Sequence, residues 1–156
     1  MDKELFDCFD KLDIKYNIVE HKAVYTIDEI NDINIDIDGI GCKNLFLTDH
    51  KGNYYLVVLE DTKRADLNSL RKLVGSKRLS FGSEEDLYNI MKLKKGSCTP
   101  LGIINDKDNK VVVLLDKDLV NNKIQCHPNR NTATISIEYF DLIRFLEYNM
   151  HQYILF

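Results

Sequence analysis

Reactive residue types gather at three junctions where apolar runs meet glycine or proline. These are Gly41-Cys42-Lys43-Asn44, Gly96-Ser97-Cys98-Thr99-Pro100-Leu101-Gly102 and Cys126-His127-Pro128-Asn129. A lysine beside an amide at the start of an apolar run can be held firmly and can donate several hydrogen bonds to an anionic or carbonyl oxygen. The same lysine could instead lay its stem along an edge and keep its charge in water. Gly96 to Gly102 joins flexible glycines to small hydroxyl residues and a proline stop, a composition that can turn backbone N–H groups toward a ligand or simply connect two elements. His127, held extended by Pro128, can donate to or accept from a substrate, or fill a structural place. Neither GxGxxG nor GxxxxGK[ST] occurs, which disfavours Rossmann and P-loop nucleotide binding.

The elements that must position these junctions are legible from periodicity. Leu5, Phe6, Phe9 and Leu12 recur with helical spacing, so residues 2–13 form an amphipathic helix. Thr26 and Glu29 have capping-box spacing ahead of a second short helix, and the INDINIDID run after it alternates like a strand but is rich in Asn and Asp. Asn44–Thr48 and Asn53–Leu59 flank a four-residue turn, which predicts a hairpin with Lys43 at a strand start. Leu67, Leu70, Leu73 and Val74 make a helical stripe closed by Gly75, and Ser83 caps another helix reaching about Met91. A second hairpin is expected from Leu101–Ile104 and Val111–Leu115. A strand pair follows at Lys123–His127 and Thr132–Ile137, and a closing helix starts near Glu138. This order predicts one α+β domain over residues 1–156 with a largely antiparallel sheet.

Composition narrows the class. The chain has 156 residues, 7 glycines and 2 prolines, which suits one ordered domain. No stretch has the length of a membrane span, and the acidic start does not read as a secretory signal, so a cytoplasmic protein is expected. Cys8, Cys42, Cys98 and Cys126 lack close CxxC spacing and are expected to be reduced thiols rather than metal ligands. Net charge is −4 but uneven: −8 over residues 1–62, +5 over 63–95 and −1 over 96–156. A local basic segment fits contact with one part of a nucleic acid, or a solvated helical face.

Five segments in register carry a family resemblance: 21–26 (HKAVYT), 42–47 (CKNLFL), 77–81 (KRLSF), 96–106 (GSCTPLGIIND) and 127–129 (HPN). Together they resemble the YbaK/prolyl-tRNA-synthetase-associated editing domains, and within them the freestanding prolyl-tRNA editing members. The resemblance implies a mixed, largely antiparallel sheet curled into a partial barrel with helices around it. It also implies hydrolysis of an amino acid wrongly esterified to tRNA, with no cofactor and no metal.

By the same resemblance Lys43 is the key active-site residue, with Asn44 and His127 beside it. The aminoacyl pocket involves Tyr25, Thr26, Ser80, Gly96, Ser97, Cys98, Thr99, Pro100, Gly102 and Asn129. Lys63, Arg64, Lys77 and Arg78 would meet tRNA, with Arg71 and Lys72 in the same basic segment. The implied partner is tRNA(Pro) carrying a small amino acid, alanine first, with prolyl-tRNA synthetase a further partner, and the chain is expected to be a freestanding monomer. Lys22 departs from the family's proline and Cys98 from its small apolar residue, which bears on amino-acid preference. Two rivals stand beside this reading: a thiol hydrolase using Cys98 or Cys126 with His127 as base, and a noncatalytic tRNA-binding module.

Overall fold

Asp49 organises the hairpin at the centre of the fold. Its carboxylate accepts from the N–H groups of Lys51 (2.8 Å) and Asn53 (3.1 Å) and from the Asn53 side chain (2.7 Å). His50 (φ 64°) and Gly52 (φ 87°) take left-handed conformations, so the chain reverses between β2 (Cys42–Thr48) and β3 (Tyr54–Glu60). The structure, a computed structural model, describes residues 2–26, 28–29 and 35–156. Of the second short helix, residues 28–29 are described and helical, and Thr26 and Glu29 make the expected reciprocal cap, Glu29 accepting from the Tyr25 N–H (3.3 Å). Residues 27 and 30–34 lie outside the described residues.

The remaining elements follow in order. They are α1 (Asp2–Lys11), β1 (Asn17–Glu20), then β2 and β3, α2 (Leu67–Val74), β4 (Ser80–Phe81), α3 (Glu84–Met91), β5 (Val111–Leu115), β6 (Lys123–Cys126), β7 (Ala133–Glu138), α4 (Tyr139–Tyr148) and β8 (Tyr153–Leu155). Caps stop the helices where the sequence signals them. Asp66 accepts from the N–H groups of Asn68 and Ser69, Gly75 closes α2 at φ 71°, and Ser83 accepts from Asp86.

Two sheets result: β1-β7-β6, and β4-β2-β3-β5-β8. The β2–β3, β2–β4, β1–β7 and β6–β7 pairs are antiparallel, whereas β3–β5 and β5–β8 are parallel. Ile40, just ahead of β2, bridges Ile124 of β6, donating its N–H to Lys123 (2.8 Å) and accepting from Gln125 (3.0 Å). That bridge joins the sheets into the expected unclosed barrel of an α+β fold. The main core lies between α1, α3, α4 and one face of the strands, including Phe9, Phe46, Leu101, Ile135 and Phe145. A second cluster, Leu47, Tyr55, Val57, Leu59, Leu70, Leu79 and Leu114, seats α2 on the other face.

One expected element is corrected. Leu101–Ile104 is no strand; Pro100–Asn105 forms a 3-10 helix, started by Thr99, whose hydroxyl accepts from the Leu101 N–H (3.3 Å). A short apolar run flanked by a cap and a proline satisfies a buried turn as well as a strand. Released from that hairpin, β5 pairs in parallel with β3 and β8 instead.

Asp106 ties this turn to the chain end. Its buried carboxylate accepts from the N–H groups of Lys110 (3.1 Å) and Val111 (2.9 Å) and meets His151 Nε2 at 2.9 Å. Burial pushes the carboxyl upward, but the bonds from His151, Lys110 and Val111 outweigh it and hold Asp106 below its ordinary 3.8. Asp106→Asn should therefore cost about 1–3 kcal/mol at neutral pH. The Asp106 carboxyl is depressed on folding, so its contribution is complete above 3.8 and lost as pH falls through the lower folded value. Denaturant titrations should show the gap between wild type and variant closing only in strong acid.

Candidate active site

Strand alternation divides the residues that the sequence groups together. Cys42, Asn44 and Phe46 share the face of β2 toward the main core, whereas Lys43, Leu45 and Leu47 share the other. Asn44 thereby joins Cys42, Gly41, Asp61, Gln125, Cys126, His127 and Thr134 around a cavity of about 40 Å³. That is room for about three waters. The β6–Ile40 bridge brings the walls together, since it sets the end of β6 beside the start of β2.

His127 is oriented for proton work. Its Nδ1 lies 2.9 Å from the carbonyl of Ala133, which can only accept, so Nδ1 carries the hydrogen and Nε2 of the neutral ring presents a lone pair. Burial, with the nearby His21 adding to it, pushes the His127 pKa below 6.5 and keeps the ring neutral. His21 donates from Nδ1 to Lys22 (2.7 Å), accepts from the Thr134 hydroxyl at Nε2 (2.8 Å), and sets its ring 6.4 Å from that of His127. Across the cavity the Asn44 side-chain oxygen is buried without a partner. Such an orphan acceptor costs free energy unless a bound group satisfies it.

Asp61, which sequence reasoning missed, is a further polar wall. A Cβ on Gly41 would come within 2.3 Å of its carboxylate, so glycine is what lets Asp61 lie over the entry to β2. Burial, and then the bond and charge of Glu60, raise the Asp61 carboxyl, while the Lys43 ammonium pulls it down. Lys43 is thus electrically linked to the cavity wall although it does not line the cavity. Among the described residues no hydrogen bond or ion pair holds its ammonium. Asp61 carries no motif in sequence; only the register Cys42↔Glu60 places it.

The other expected site residues separate into groups. Tyr25 packs on Gly96, whose added Cβ would meet its ring at 2.6 Å and whose φ of 84° is left-handed. These two, with Ser97 and Asn129, sit beside the cavity loop; Tyr25, Ser97 and Asn129 line a second, larger groove. Thr26 accepts from the N–H of Glu29 (3.1 Å), a helix-starting contact. Thr99, Pro100 and Gly102 are buried in the 3-10 turn, and a Cβ on Gly102 would meet Leu93 at 2.6 Å. The N–H groups of Ser97 and Gly102 bond Lys94 and Thr99, and that of Leu101 bonds the Thr99 hydroxyl, so Gly96, Cys98 and Thr99 are the loop's remaining candidate donors. Cys98 packs against the main core.

The basic segment is dispersed. Lys63 is bound by Asp116 (2.8 Å) and by Asp118, a structural use of its charge. Arg71 bonds Asn68 and the carbonyl of Ser76 at the end of α2. Arg64 and Lys72 are not part of the cavity. Lys77 and Arg78 border a shallow groove with His50 and Lys51 at the β2–β3 turn. Ser80 bonds His50 and pairs with Thr48 at that same end.

The unclosed α+β barrel thus encloses one small cavity lined by His127, by Asn44 with its orphan oxygen and by Asp61, whose carboxyl feels the Lys43 charge. The chain belongs to the aminoacyl-tRNA editing domain family, whose model matches residues 21–145. It is 42% identical over 142 residues to the prolyl-tRNA editing protein ProX of Acetoanaerobium sticklandii, covering 90% of this chain and 87% of that protein. It is 33% identical to a prolyl-tRNA synthetase associated domain-containing protein of Danio rerio, covering 96% and 83%. A solved structure described as a candidate trans-editing enzyme for prolyl-tRNA synthetase shares the fold at TM-score 0.73 and 18% identity, covering 98% of this chain and 94% of that one. No described helix is long and apolar enough to cross a membrane.

Proposed function

We propose that the chain is a trans-editing deacylase that hydrolyses the ester of mischarged tRNA(Pro), with alanine as the amino acid removed. The observation that carries the reaction is that one small cavity is lined by both His127, whose Nε2 is free to accept a proton, and Asn44, whose orphan oxygen is free to accept from a substrate. The relatives' names supply the tRNA, and the cavity's size favours a small side chain over the larger proline ring. A synthetase that selects by size rejects a smaller apolar substrate weakly, by about 1–3 kcal/mol per methylene, so a second, tighter sieve adds the missing discrimination.

In this mechanism His127 takes a proton from water as the water oxygen attacks the ester carbonyl. The carbonyl electrons move onto oxygen, where the positive field of Lys43, which reaches the cavity wall at Asp61 from the other face of β2, stabilises the charge. Collapse breaks the bond to the ribose oxygen, which receives the proton from His127, releasing amino acid and tRNA. Asn44 holds the substrate's amine or ribose hydroxyl. Lys77 and Arg78, roughly 17 Å along β2 from Lys43 by strand rise, would meet the duplex part of the acceptor stem. Incubation with alanyl-, cysteinyl-, seryl- and prolyl-tRNA(Pro) tests the reading. Alanyl ester should be lost fastest, and loss no faster than the spontaneous rate for all four would refute it.

The thiol rival is disfavoured by electrostatics. Burial pushes the Cys98 thiol up to about 12, and burial with the nearby Cys42 pushes Cys126 well up, so neither supplies a thiolate near neutral pH. Cys98→Ala and Cys126→Ala should keep turnover within about threefold of wild type in single-turnover deacylation; a decrease matching removal of a catalytic group would revive the thiol route.

A further inference from the structure

The loop that carries His127 into the cavity continues as Asn129, Arg130 and Asn131 into a separate groove of about 630 Å³. Its other walls are Tyr25, Tyr88, Lys92, Lys94, Lys95 and Ser97. Two aromatic rings stand open there: Tyr25 is 60% exposed and Tyr88 51%. Three lysines gather on one side in a chain whose net charge is −4. The Lys92 ammonium lies 5.8 Å from the Tyr88 ring centre, at the left-handed cap of α3 (φ 57°), and Lys94 and Lys95 follow it. The groove's acidic member, Glu4, is paired with Lys107 (3.1 Å), and Arg130 with Glu20 (2.7 Å). Lys95 lies 3.8 Å from Glu84, both largely exposed.

Two further features mark a prepared surface. The side-chain oxygen of Asn129 is buried without a partner and faces this groove. The Tyr25 ring rests against Gly96, and the neighbouring Asn131 amide donates to the carbonyl of Val24 (2.8 Å). Exposed rings beside a row of lysines form the combination that binds unpaired nucleotides, bases stacking on the rings and phosphates meeting the cations.

We propose that this groove binds the unpaired 3′ end of tRNA, with bases on Tyr25 and Tyr88, phosphates on Lys92, Lys94 and Lys95, and a sugar hydroxyl or base amine on Asn129. The inference rests on the editing reading and gives it a direction of entry: the strand reaches the cavity along the Asn129–His127 loop. The Lys77–Arg78 end of β2 is then left for the duplex.

The test is direct binding, by fluorescence anisotropy, of an acceptor-stem RNA hairpin with its unpaired 3′ nucleotides and of the same hairpin cut blunt. Wild type should prefer the hairpin with the unpaired end. Tyr88→Ala should remove about 5- to 100-fold of that preference. Lys94→Ala with Lys95→Ala should flatten the log–log salt dependence by about 0.7 for each phosphate that is no longer neutralised. Arg78→Ala should weaken both hairpins alike. Equal binding of the two hairpins by wild type, or an unchanged preference in the Tyr88 and lysine variants, overturns the groove even if deacylation is intact. End-dependent binding that these variants abolish, in a protein without deacylation, keeps the groove and discards the editing activity.

Discussion

Lys43→Ala should lower kcat on alanyl-tRNA(Pro) by about 100- to 1,000-fold, the cost of removing one charge that stabilises a developing oxyanion. Its melting temperature should stay close to that of wild type. Both expectations follow from the same placement. Lys43 is half-buried on β2, paired in register with Leu59, yet its ammonium has no hydrogen bond or ion pair among the described residues. Removing it breaks no structural bond of the charge, while the alanine keeps strand geometry. The effect should fall on kcat rather than KM, because the charge is needed when the carbonyl becomes an oxyanion.

Asp61 offers an independent readout of the same lysine. Burial and Glu60 raise its carboxyl, and the Lys43 charge opposes them, so Lys43→Ala should move the Asp61 titration, followed by carboxyl NMR, further upward. Near wild-type turnover in Lys43→Ala would remove Lys43 from the mechanism.

His127→Ala should reduce kcat/KM by about 100- to 10,000-fold, the range for a positioned general base. The pH profile separates this role from mere packing. A base must be neutral to accept a proton, and burial with the nearby His21 places His127 below 6.5. Wild-type kcat/KM should therefore be flat near neutrality and fall as pH drops through that lowered value. His127→Ala should lose this acidic limb along with the rate. A variant that is slow but keeps the limb assigns the titration to another group. A variant with near wild-type rate and profile hands water activation to the substrate's own ribose hydroxyl.

The local elements were legible because their signals are local. Apolar spacing in α1, the caps Asp66 and Ser83, and Gly75 after α2 each act within a few residues. The short pieces β1, β4 and β8 gave no such signal, since strands of two to four residues exist only through the partner that pairs with them. The 101–104 run failed for a related reason: full burial removes the alternation that distinguishes a strand from a turn.

Sequence by itself determined the family, the fold class and the three junctions that carry Lys43, Gly96 and His127, because residue types at fixed spacing survive without coordinates. Tertiary structure alone decided which of them meet. Adjacent in the chain, Lys43 and Asn44 leave opposite faces of β2, so only Asn44 enters the cavity with His127. Asp61 reaches that wall through the β2–β3 register. The basic segment, continuous in sequence, divides between Lys63 neutralising Asp116, Arg78 at the hairpin end and Lys92–Lys95 at the groove. Side-chain direction has a period of two along a strand, and sheet pairing joins residues far apart in the chain. Whether neighbouring residues converge is therefore settled by register and pairing.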